Sequence, residues 1–332
     1  MKALIIEKPA SITTAPLKMI EREIPKPSAN QVLLKISKCG ICHTDLHVVE
    51  GDLPPVKYPV IPGHQIVGQV LEIGDAVHNL KKSDRAGVAW LHRSCGTCRY
   101  CLKNMENLCD APLFTGYSVD GGFAEYAIAD ADFTYKLPDG FSDLAAAPLL
   151  CAGIIGYRSF KLCRIKEGET LGLYGFGASA HIVLQIANYY NCKVFVFTRS
   201  EKHRTLAIEL GAAWAGSSEE KPPVELASAI IFAPVGALYI NALKALRKGG
   251  TVASAGIHMS PVPQFPYELL YHERIMLSVA NSTREDAREL LHHAVLIPIK
   301  TTVEVFPLSE ANNALQLLKQ GKINGAAVLE IE

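Results

Sequence analysis

The sequence has no excess of charge of either sign, because 33 lysines and arginines are matched by 33 aspartates and glutamates in 332 residues. A balanced chain has no overall positive field of the kind that attracts nucleic acid or an anionic membrane. No apolar stretch reaches the roughly 20 residues that a membrane-spanning helix needs. These absences exclude nucleic acid and membrane as expected partners and leave a small molecule.

We expect no export signal, because the apolar run from Ala3 to Ile6 is too brief and has the wrong flanks for a signal peptide. The nine cysteines are an odd number, which disfavours a complete set of disulfides. Together these features favour a reducing, cytoplasmic compartment in which thiolates bind metals. The spacing of the cysteines therefore becomes the main guide to function.

The length of the chain exceeds the size at which one hydrophobic core usually stops growing, and this predicts two domains. Residues 1 to about 150 are rich in short strand-like runs divided by proline and glycine. From about 154 to 281, apolar strands alternate with helices, which predicts a doubly wound parallel sheet of the α/β class. The tail has a predicted helix at Ser309–Gln320 and a predicted strand at Ala326–Ile331, which indicate a return to the first domain.

The predicted strands of the first region are Val32–Ile36, Ile66–Ile73 and Arg85–Ala89. The predicted strands of the second region are Thr170–Tyr174, Val194–Thr198, Ala229–Phe232, Thr251–Ala255 and Met276–Val279. Its predicted helices are Ala178–Tyr190, His203–Leu210 and Leu238–Arg247.

Four cysteines lie within fifteen residues at the spacing C-x2-C-x2-C-x7-C: Cys95, Cys98, Cys101 and Cys109. Four thiolates complete the tetrahedral coordination of zinc, so a site of this kind is structural. One alternative is a cluster of buried or redox-active cysteines. Another is a zinc ribbon for nucleic acid, which the lack of a surrounding basic patch disfavours.

A second set of candidate ligands is dispersed along the chain. Cys42 lies in a short segment, residues 39–47, that also contains two histidines, a threonine and an aspartate. His64 follows in a Gly-His-Gln sequence, and Cys151 stands where the second domain is expected to begin. Two thiolates and one imidazole supply three zinc ligands and leave the fourth position open for substrate.

These motifs resemble those of the zinc-dependent alcohol dehydrogenases of the medium-chain dehydrogenase/reductase family, over essentially the whole chain. The resemblance implies that Cys42, His64 and Cys151 bind a catalytic zinc and that the four-cysteine segment binds a second, structural zinc. An open zinc position lowers the pKa of an alcohol bound there, so that its carbon can release hydride to a nicotinamide ring. We therefore expect an oxidoreductase that interconverts small primary alcohols and aldehydes.

The resemblance also assigns roles to residues around the ligands. It implies that Thr44 accepts the alcohol proton, that His47 and the cofactor ribose pass it to solvent, and that Asp45 orients His64. Helix capping is the alternative interpretation of Thr44 and Asp45. The implied architecture is a GroES-like catalytic domain, residues 1–153 and 285–332, and a Rossmann domain, residues 154–284, in a homodimer or homotetramer.

A nucleotide-binding motif is indicated where a glycine turn joins the predicted strand at Thr170–Tyr174 to a helix. Gly175 permits the tight turn, Gly177 allows a phosphate to approach, and Ala180 stands where a third glycine is common. The predicted cofactor-binding residues are Gly172, Gly175, Phe176, Gly177, Ala178, Thr198, Arg199 and Ser200, together with His43.

The end of the next predicted strand lacks the acid that an NAD enzyme places there for the adenine ribose. Thr198 cannot repel a 2′-phosphate, and Arg199 with Ser200 can hold one by charge-assisted hydrogen bonds. The sequence therefore favours NADP. The alternative is an NAD enzyme in which Arg199 stacks on the adenine.

Three residues depart from the family pattern: Gln65 replaces a glutamate, Ala326 an arginine and Ile155 a threonine. The first two changes remove both members of a charge pair, so we expect activity to survive. Ile155 stands at a position whose side chain is expected to pack near the nicotinamide.

Trp90 stands where the family lines its substrate pocket with an aromatic ring, although core packing is an equal alternative. Leu53 stands where some enzymes for small alcohols have a tryptophan, and its smaller side chain leaves room in the pocket for larger substrates. One alternative function is therefore an NADPH-dependent reductase of aromatic or cinnamyl aldehydes. An alternative of another class is a non-catalytic, zinc-stabilised nucleotide-binding or sensor protein.

Overall fold

The computed structural model describes residues 1–54, 57–297 and 299–332. They form two compact units, one of residues 1–151, 281–295 and 300–332, the other of residues 152–280 and 296–299. Among these residues, no helix has both the length and the apolar character needed to cross a bilayer.

The first unit is rich in strands. Its strands are β1 (Lys2–Ile5), β2 (Lys18–Glu21), β3 (Gln31–Ile41), β4 (Gln65–Ile73), β5 (Arg85–Val88), β6 (Leu91–Arg93), β7 (Leu113–Phe114), β8 (Tyr126–Asp130), β9 (Thr134–Lys136), β16 (Val303–Pro307) and β17 (Ala326–Glu330). Its helices are α1 (His43–Glu50), α2 (Asp143–Ala146), α8 (Arg284–Leu296) and α9 (Ala311–Lys319). Short 3-10 turns occur at Ile12–Thr14, Cys101–Lys103, Glu106–Leu108, Ala131–Phe133, Ala147–Leu150 and Leu308–Glu310.

The main sheet of this unit has the order β16-β17-β3-β4-β5-β9, and β8 also pairs with β3. Strands β3 and β4 are antiparallel, with Cys39 opposite Ile66 and Gly40 opposite Gln65. This register brings the residues that follow β3 beside those that precede β4. The sheet covers an apolar core in which Leu34, Ile36 and Phe123 are fully buried.

The second unit alternates strands and helices. Its strands are β10 (Thr170–Tyr174), β11 (Lys193–Phe197), β12 (Trp214–Gly216), β13 (Leu226–Ile231), β14 (Leu246–Ser254) and β15 (Ile275–Ser278). Its helices are α3 (Ala152–Leu162), α4 (Ala178–Tyr189), α5 (Glu201–Glu209), α6 (Leu238–Ala245) and α7 (Glu268–Tyr271).

All neighbouring strands of the second unit are parallel, in the order β12-β11-β10-β13-β14-β15. This is the doubly wound order in which the chain reverses direction across the sheet beside its first strand. Dinucleotides bind outside the carboxyl ends of the strands at such a reversal. In this unit the reversal lies between β10 and β13, and the turns after β10 and β11 follow the carboxyl ends of two adjacent strands on one side of it.

Several predicted element boundaries are wrong. Strand β3 continues to Ile41 instead of ending at Ile36, and β13 begins at Leu226 instead of Ala229. The helix predicted over Leu238–Arg247 ends at Ala245, because Leu246 takes extended backbone and pairs with Leu226 on β13. The strand predicted to begin at Thr251 therefore begins at Leu246. Helix α8 was not predicted at all. Its buried apolar residues Ala287, Leu290, Leu291 and Ala294 follow the helical period, so the sequence contained the signal for this helix.

Candidate active site and zinc centres

Helix α1 places several of the predicted residues, and its first turn is held by its own side chains. The Cys42 sulfur accepts a hydrogen bond from the Thr44 N–H, at 3.3 Å, and an Asp45 oxygen accepts one from the Cys42 N–H, at 2.8 Å. This reciprocal arrangement is a capping box. The helix ends at Gly51, whose φ of 81° is the left-handed conformation common after helices. The capping role predicted as the alternative for Asp45 is thus real.

The structure brings Cys42, His64 and Cys151 together from three separate segments. The Cys42 sulfur lies 3.5 Å from His64 Nε2 and 3.8 Å from the Cys151 sulfur. The three ligand atoms all lie within 4.8 Å of one another, a spacing that a single metal ion can bridge. The imidazole of His64 is fully buried, so this donor set is held inside the protein.

Asp45 supports this cluster as well as the helix. Its second oxygen lies 2.9 Å from His64 Nδ1, which leaves Nε2 directed at the two sulfurs. Burial lowers the pKa of His64, but the charges of Asp45 and Cys42 outweigh it and raise that pKa to about 10. The surroundings of the ring therefore favour a positive charge, which is what a zinc cation supplies.

The two thiols of the cluster are not equivalent. A hydrogen bond from the Cys151 thiol, together with the neighbouring His64, lowers the pKa of Cys42 well below its usual value in spite of burial. A thiolate is the form of cysteine that binds metal. The donor set and its ionisation therefore fit a catalytic zinc site with one open position.

The four-cysteine segment also closes on itself. The ligand atoms of its four cysteines lie within 4.8 Å of one another, as full tetrahedral coordination requires: Cys95, Cys98, Cys101 and Cys109. Backbone N–H groups of Thr97 and Cys98 lower the pKa of Cys95 to about 6. Burial raises that of Cys109 to about 11, an effect that a bound cation would offset. The donor set fits a closed zinc site.

The loop closed by these cysteines also anchors helix α8. Glu106, only 5 % exposed, accepts hydrogen bonds from the backbone N–H of Arg284, at 2.9 Å, and from its Nε, at 3.2 Å. The Arg284 guanidinium lies 4.7 Å from the centre of the Phe133 ring. The start of α8 is therefore positioned by a residue between the third and fourth cysteines.

Trp90, which contacts a ligand residue, packs with two further aromatic rings that sequence reasoning did not identify. Trp90 lies edge-on to the His64 ring, with 5.2 Å between ring centres. It stacks on Phe114 at 5.0 Å and on Tyr117 at 5.8 Å. The sequence signal for a buried turn at Tyr117 was the glycines near it. Gly116 and Gly121 are needed there because the chain passes close to the backbone of Gly63.

The two residues predicted to carry the proton both lie on α1. Thr44 is 6 % exposed, and the His47 side chain, one turn further along the same helix face, is 21 % exposed. His47 Nδ1 lies 2.8 Å from an Asp52 oxygen, a contact that the sequence did not predict. The neighbouring Leu53 is half-buried and packs against the core, whereas His43 is exposed at the start of the helix.

Gln65 and Ala326 are two of the three residues that depart from the expected family pattern. Gln65 is 3 % exposed and lies against Gly40. A Cβ added to Gly40 would be 2.7 Å from the amide oxygen of Gln65. Within the described residues its amide nitrogen has no hydrogen-bond partner. Ala326 is 9 % exposed and adds no polar group. Ile155 lies in α3, where its carbonyl accepts a hydrogen bond from Ser159.

The turn after β10 has the features of a phosphate-binding turn. Gly175 has a φ of 89°, and a Cβ there would lie 2.9 Å from the backbone nitrogen of Ala233. Gly177 is the N-cap residue just before helix α4, and a Cβ there would meet nothing within 4 Å, so its surface is open to a ligand. Gly172, also predicted to bind the cofactor, lies inside β10, where a Cβ would be 2.5 Å from a side-chain atom of Leu226.

The residues after β11 occupy the neighbouring turn. Thr198 is buried and Arg199 is exposed, while the Ser200 hydroxyl accepts a hydrogen bond from the His203 N–H and begins helix α5. Arg204, which the sequence did not identify, donates from Nε to the Thr198 carbonyl at 3.0 Å. This contact fixes the backbone that carries Arg199.

Comparison with known proteins agrees with this geometry. Residues 28–139 match the family described as alcohol dehydrogenase GroES-like domain, and residues 180–295 match zinc-binding dehydrogenase. A Mycobacterium tuberculosis protein named "Probable alcohol dehydrogenase AdhA" is 45% identical over 100% of this chain and 97% of its own. An alcohol dehydrogenase of Geobacillus stearothermophilus is 36% identical over the whole of both chains. The chain belongs to the zinc-dependent alcohol dehydrogenases of the medium-chain dehydrogenase/reductase family.

Solved structures of similar proteins show the same fold. A cinnamyl alcohol dehydrogenase of Sorghum bicolor superposes with a TM-score of 0.90 at 25% identity, covering 99% of this chain and 97% of its own. An acetophenone reductase of Geotrichum candidum in complex with NAD superposes with a TM-score of 0.88 at 26% identity, covering 99% and 96%. The predicted combination of a Rossmann domain with a GroES-like domain is confirmed. This zinc alcohol dehydrogenase is an NAD(P)-dependent oxidoreductase of alcohols and aldehydes.

Proposed function

We propose that this alcohol dehydrogenase holds two zinc ions per chain, one catalytic and one structural. The observation that carries the proposal is the buried cluster of Cys42, His64 and Cys151, whose three ligand atoms lie within 4.8 Å of one another. Three protein ligands leave one tetrahedral position for the alcohol oxygen, whereas the four cysteines of the other cluster leave none. When bound at the open site, zinc supplies a Lewis acid that favours loss of the alcohol proton.

The surrounding residues then move the proton and hold the ligands. We assign the first proton acceptor to the Thr44 hydroxyl, which is buried, and the exit to solvent to the ring of His47, which is partly exposed. Asp45 contacts Nδ1 of His64. This contact fixes the imidazole ring so that its Nε2 faces the sulfurs of Cys42 and Cys151. The pairing with Asp52 holds His47 in the same way.

We assign the dinucleotide to the unit of residues 152–280, at the turns after β10 and β11. Gly175, Phe176, Gly177 and Ala178 form the first turn, where the open surface of Gly177 and the start of α4 suit a pyrophosphate. Exposed Arg199 lies in the second turn, where its guanidinium is available to a 2′-phosphate. This arrangement supports NADP as the preferred cofactor.

We propose small primary alcohols as the substrates, with Trp90 and Leu53 as walls of the pocket. The edge contact of Trp90 with His64 puts the indole next to a zinc ligand, where it excludes water and limits the width available to the alcohol. Aromatic or cinnamyl substrates with NADPH form the second candidate, because Leu53 is smaller than a second aromatic ring. A dimer or tetramer remains a prediction from the family.

A matched pair of histidine variants tests the assignment. His64→Asn should remove one zinc per chain and abolish turnover of ethanol, while circular dichroism shows an intact fold. His92→Asn is the control, because His92 is a buried histidine of the same unit, 4 % exposed, that lies outside both clusters. A His64 variant that keeps most of its activity contradicts the proposed site. Relative kcat/KM for ethanol and cinnamyl alcohol, each with NAD and NADP, decides between the substrate classes.

A further inference from the structure

Tyr117 connects two parts of the chain that the proposed function places around the substrate. Its ring stacks on Trp90, with 5.8 Å between centres and 21° between planes. Its hydroxyl donates a hydrogen bond to the carbonyl of Pro54, the residue next to Leu53. One side chain therefore contacts both the indole beside His64 and the backbone that carries Leu53.

The environment of Tyr117 fixes its position. The residue is 8 % exposed, and its ring also contacts Phe114, at 6.4 Å between centres. Burial raises the pKa of its phenol, so the hydroxyl stays protonated and able to donate at neutral pH. A buried hydroxyl held by one backbone carbonyl loses that partner if the carbonyl moves, and this loss penalises displacement of Pro54.

The turn that carries Tyr117 is itself held against the zinc-ligand segment. Thr115 donates its N–H to the Trp90 carbonyl at 2.9 Å. A Cβ on Gly116 would lie 2.8 Å from the backbone nitrogen of Gly63, the residue before His64, and the Gly122 N–H donates to the Gly63 carbonyl at 2.8 Å. The turn thus packs directly on the chain that delivers His64, and Tyr117 cannot shift without disturbing it.

We infer that Tyr117 is a positioning residue that sets the width of the alcohol pocket by holding Trp90 and the Leu53–Pro54 backbone at a constant separation. The inference rests on the proposed placement of Trp90 and Leu53 in the pocket. Its consequence is that the enzyme discriminates against aromatic alcohols through a side chain that need not touch the substrate. Loss of the hydroxyl frees one wall, and loss of the ring frees both.

The test compares kcat/KM for benzyl alcohol with kcat/KM for ethanol in purified enzyme. Tyr117→Phe removes the hydroxyl and keeps the stacked ring, and we expect the benzyl-to-ethanol ratio to rise about fivefold, the factor that one neutral hydrogen bond corresponds to. The change should appear as a lower KM for benzyl alcohol, with zinc content and the kcat for ethanol within about twofold of the unaltered enzyme. Tyr117→Leu should raise the ratio further.

Tyr239→Phe is the matched control. Tyr239 is 7 % exposed and donates its hydroxyl to the Leu277 carbonyl at 3.1 Å, but it belongs to the other unit. Its variant should leave the ratio unchanged.

A Trp90→Ala variant separates failure of this inference from failure of the proposed pocket. If Trp90→Ala raises the ratio and both Tyr117 variants leave it unchanged, the positioning role is wrong and the pocket assignment stands. If Trp90→Ala also leaves the ratio unchanged, the pocket assignment is wrong and the inference falls with it. An equal rise in Tyr239→Phe would assign the effect to general loosening and overturn the inference.

Discussion

Replacing Asp45 by asparagine tests whether the carboxylate that caps α1 is also the group that holds the catalytic ligand. One oxygen of Asp45 accepts the Cys42 N–H at 2.8 Å and the other lies 2.9 Å from His64 Nδ1, in a side chain only 1 % exposed. An asparagine has one oxygen and one amide N–H2 in the same space. The asparagine oxygen can accept a hydrogen bond from the Cys42 N–H or from the His64 Nδ1–H, but not from both. The asparagine NH2 group then faces the other N–H, and two donors repel each other there.

The expected magnitude has two parts. Loss of a helix cap costs about 0.5–2 kcal/mol of the free energy of unfolding. Loss of a group that orients a metal-bound histidine lowers metal affinity or activity by roughly 10–100-fold. In free energy the second effect is about 1.4–2.8 kcal/mol, since each tenfold change corresponds to about 1.4 kcal/mol. We therefore expect Asp45→Asn to lower both thermal stability and zinc affinity.

Asp286→Asn supplies the control for the capping part. Asp286 caps the start of α8 by accepting hydrogen bonds from the Thr283 N–H, at 2.9 Å, and from its hydroxyl, at 2.8 Å, and it is also 1 % exposed. Competition with a chelator, kcat/KM for ethanol and thermal unfolding should be measured for both variants. Both should unfold at lower temperature, but only the Asp45 variant should lose zinc and activity. Equal zinc affinity in the two variants would refute the orienting role.

Three further predictions address the other parts of the enzyme. Cys98→Ser should lower the zinc content from about two to about one per chain and lower the unfolding temperature, because Glu106 in the same loop anchors α8; unchanged metal analysis would contradict the closed site. Arg199→Ala should lower kcat/KM with NADP about ten- to hundredfold and leave NAD nearly unchanged, and equal or better use of NAD by the unaltered enzyme would show that no phosphate is held there. Asp52→Asn should lower kcat for alcohol oxidation up to about fivefold without changing KM, because a partly exposed contact between two side chains contributes about 1 kcal/mol at most. A kcat equal to that of the unaltered enzyme would remove Asp52 from the proton path.

The local features of this protein could be predicted from the sequence alone. Cys95, Cys98, Cys101 and Cys109 lie within fifteen residues, and their spacing was enough to predict a four-ligand cluster. The alternation of apolar runs and helical periods predicted most strands and helices of the second unit, but it missed β12, α3 and α7 and misplaced the boundary at Leu246. Gly175 indicated the turn after β10, because a tight turn requires a residue with a positive φ and glycine adopts one without steric cost.

The active site depended on tertiary structure. The register of β3 on β4 brings Cys42 to His64, and no spacing within either segment encodes that register. The bond from Asp45 to His64 and the position of Tyr117 between Trp90 and Pro54 have the same origin. A sequence determines which side chains are present and which short segments can turn or coil. Contacts between distant segments follow from how sheets pair and pack, so only the folded chain decides which side chains meet at the site.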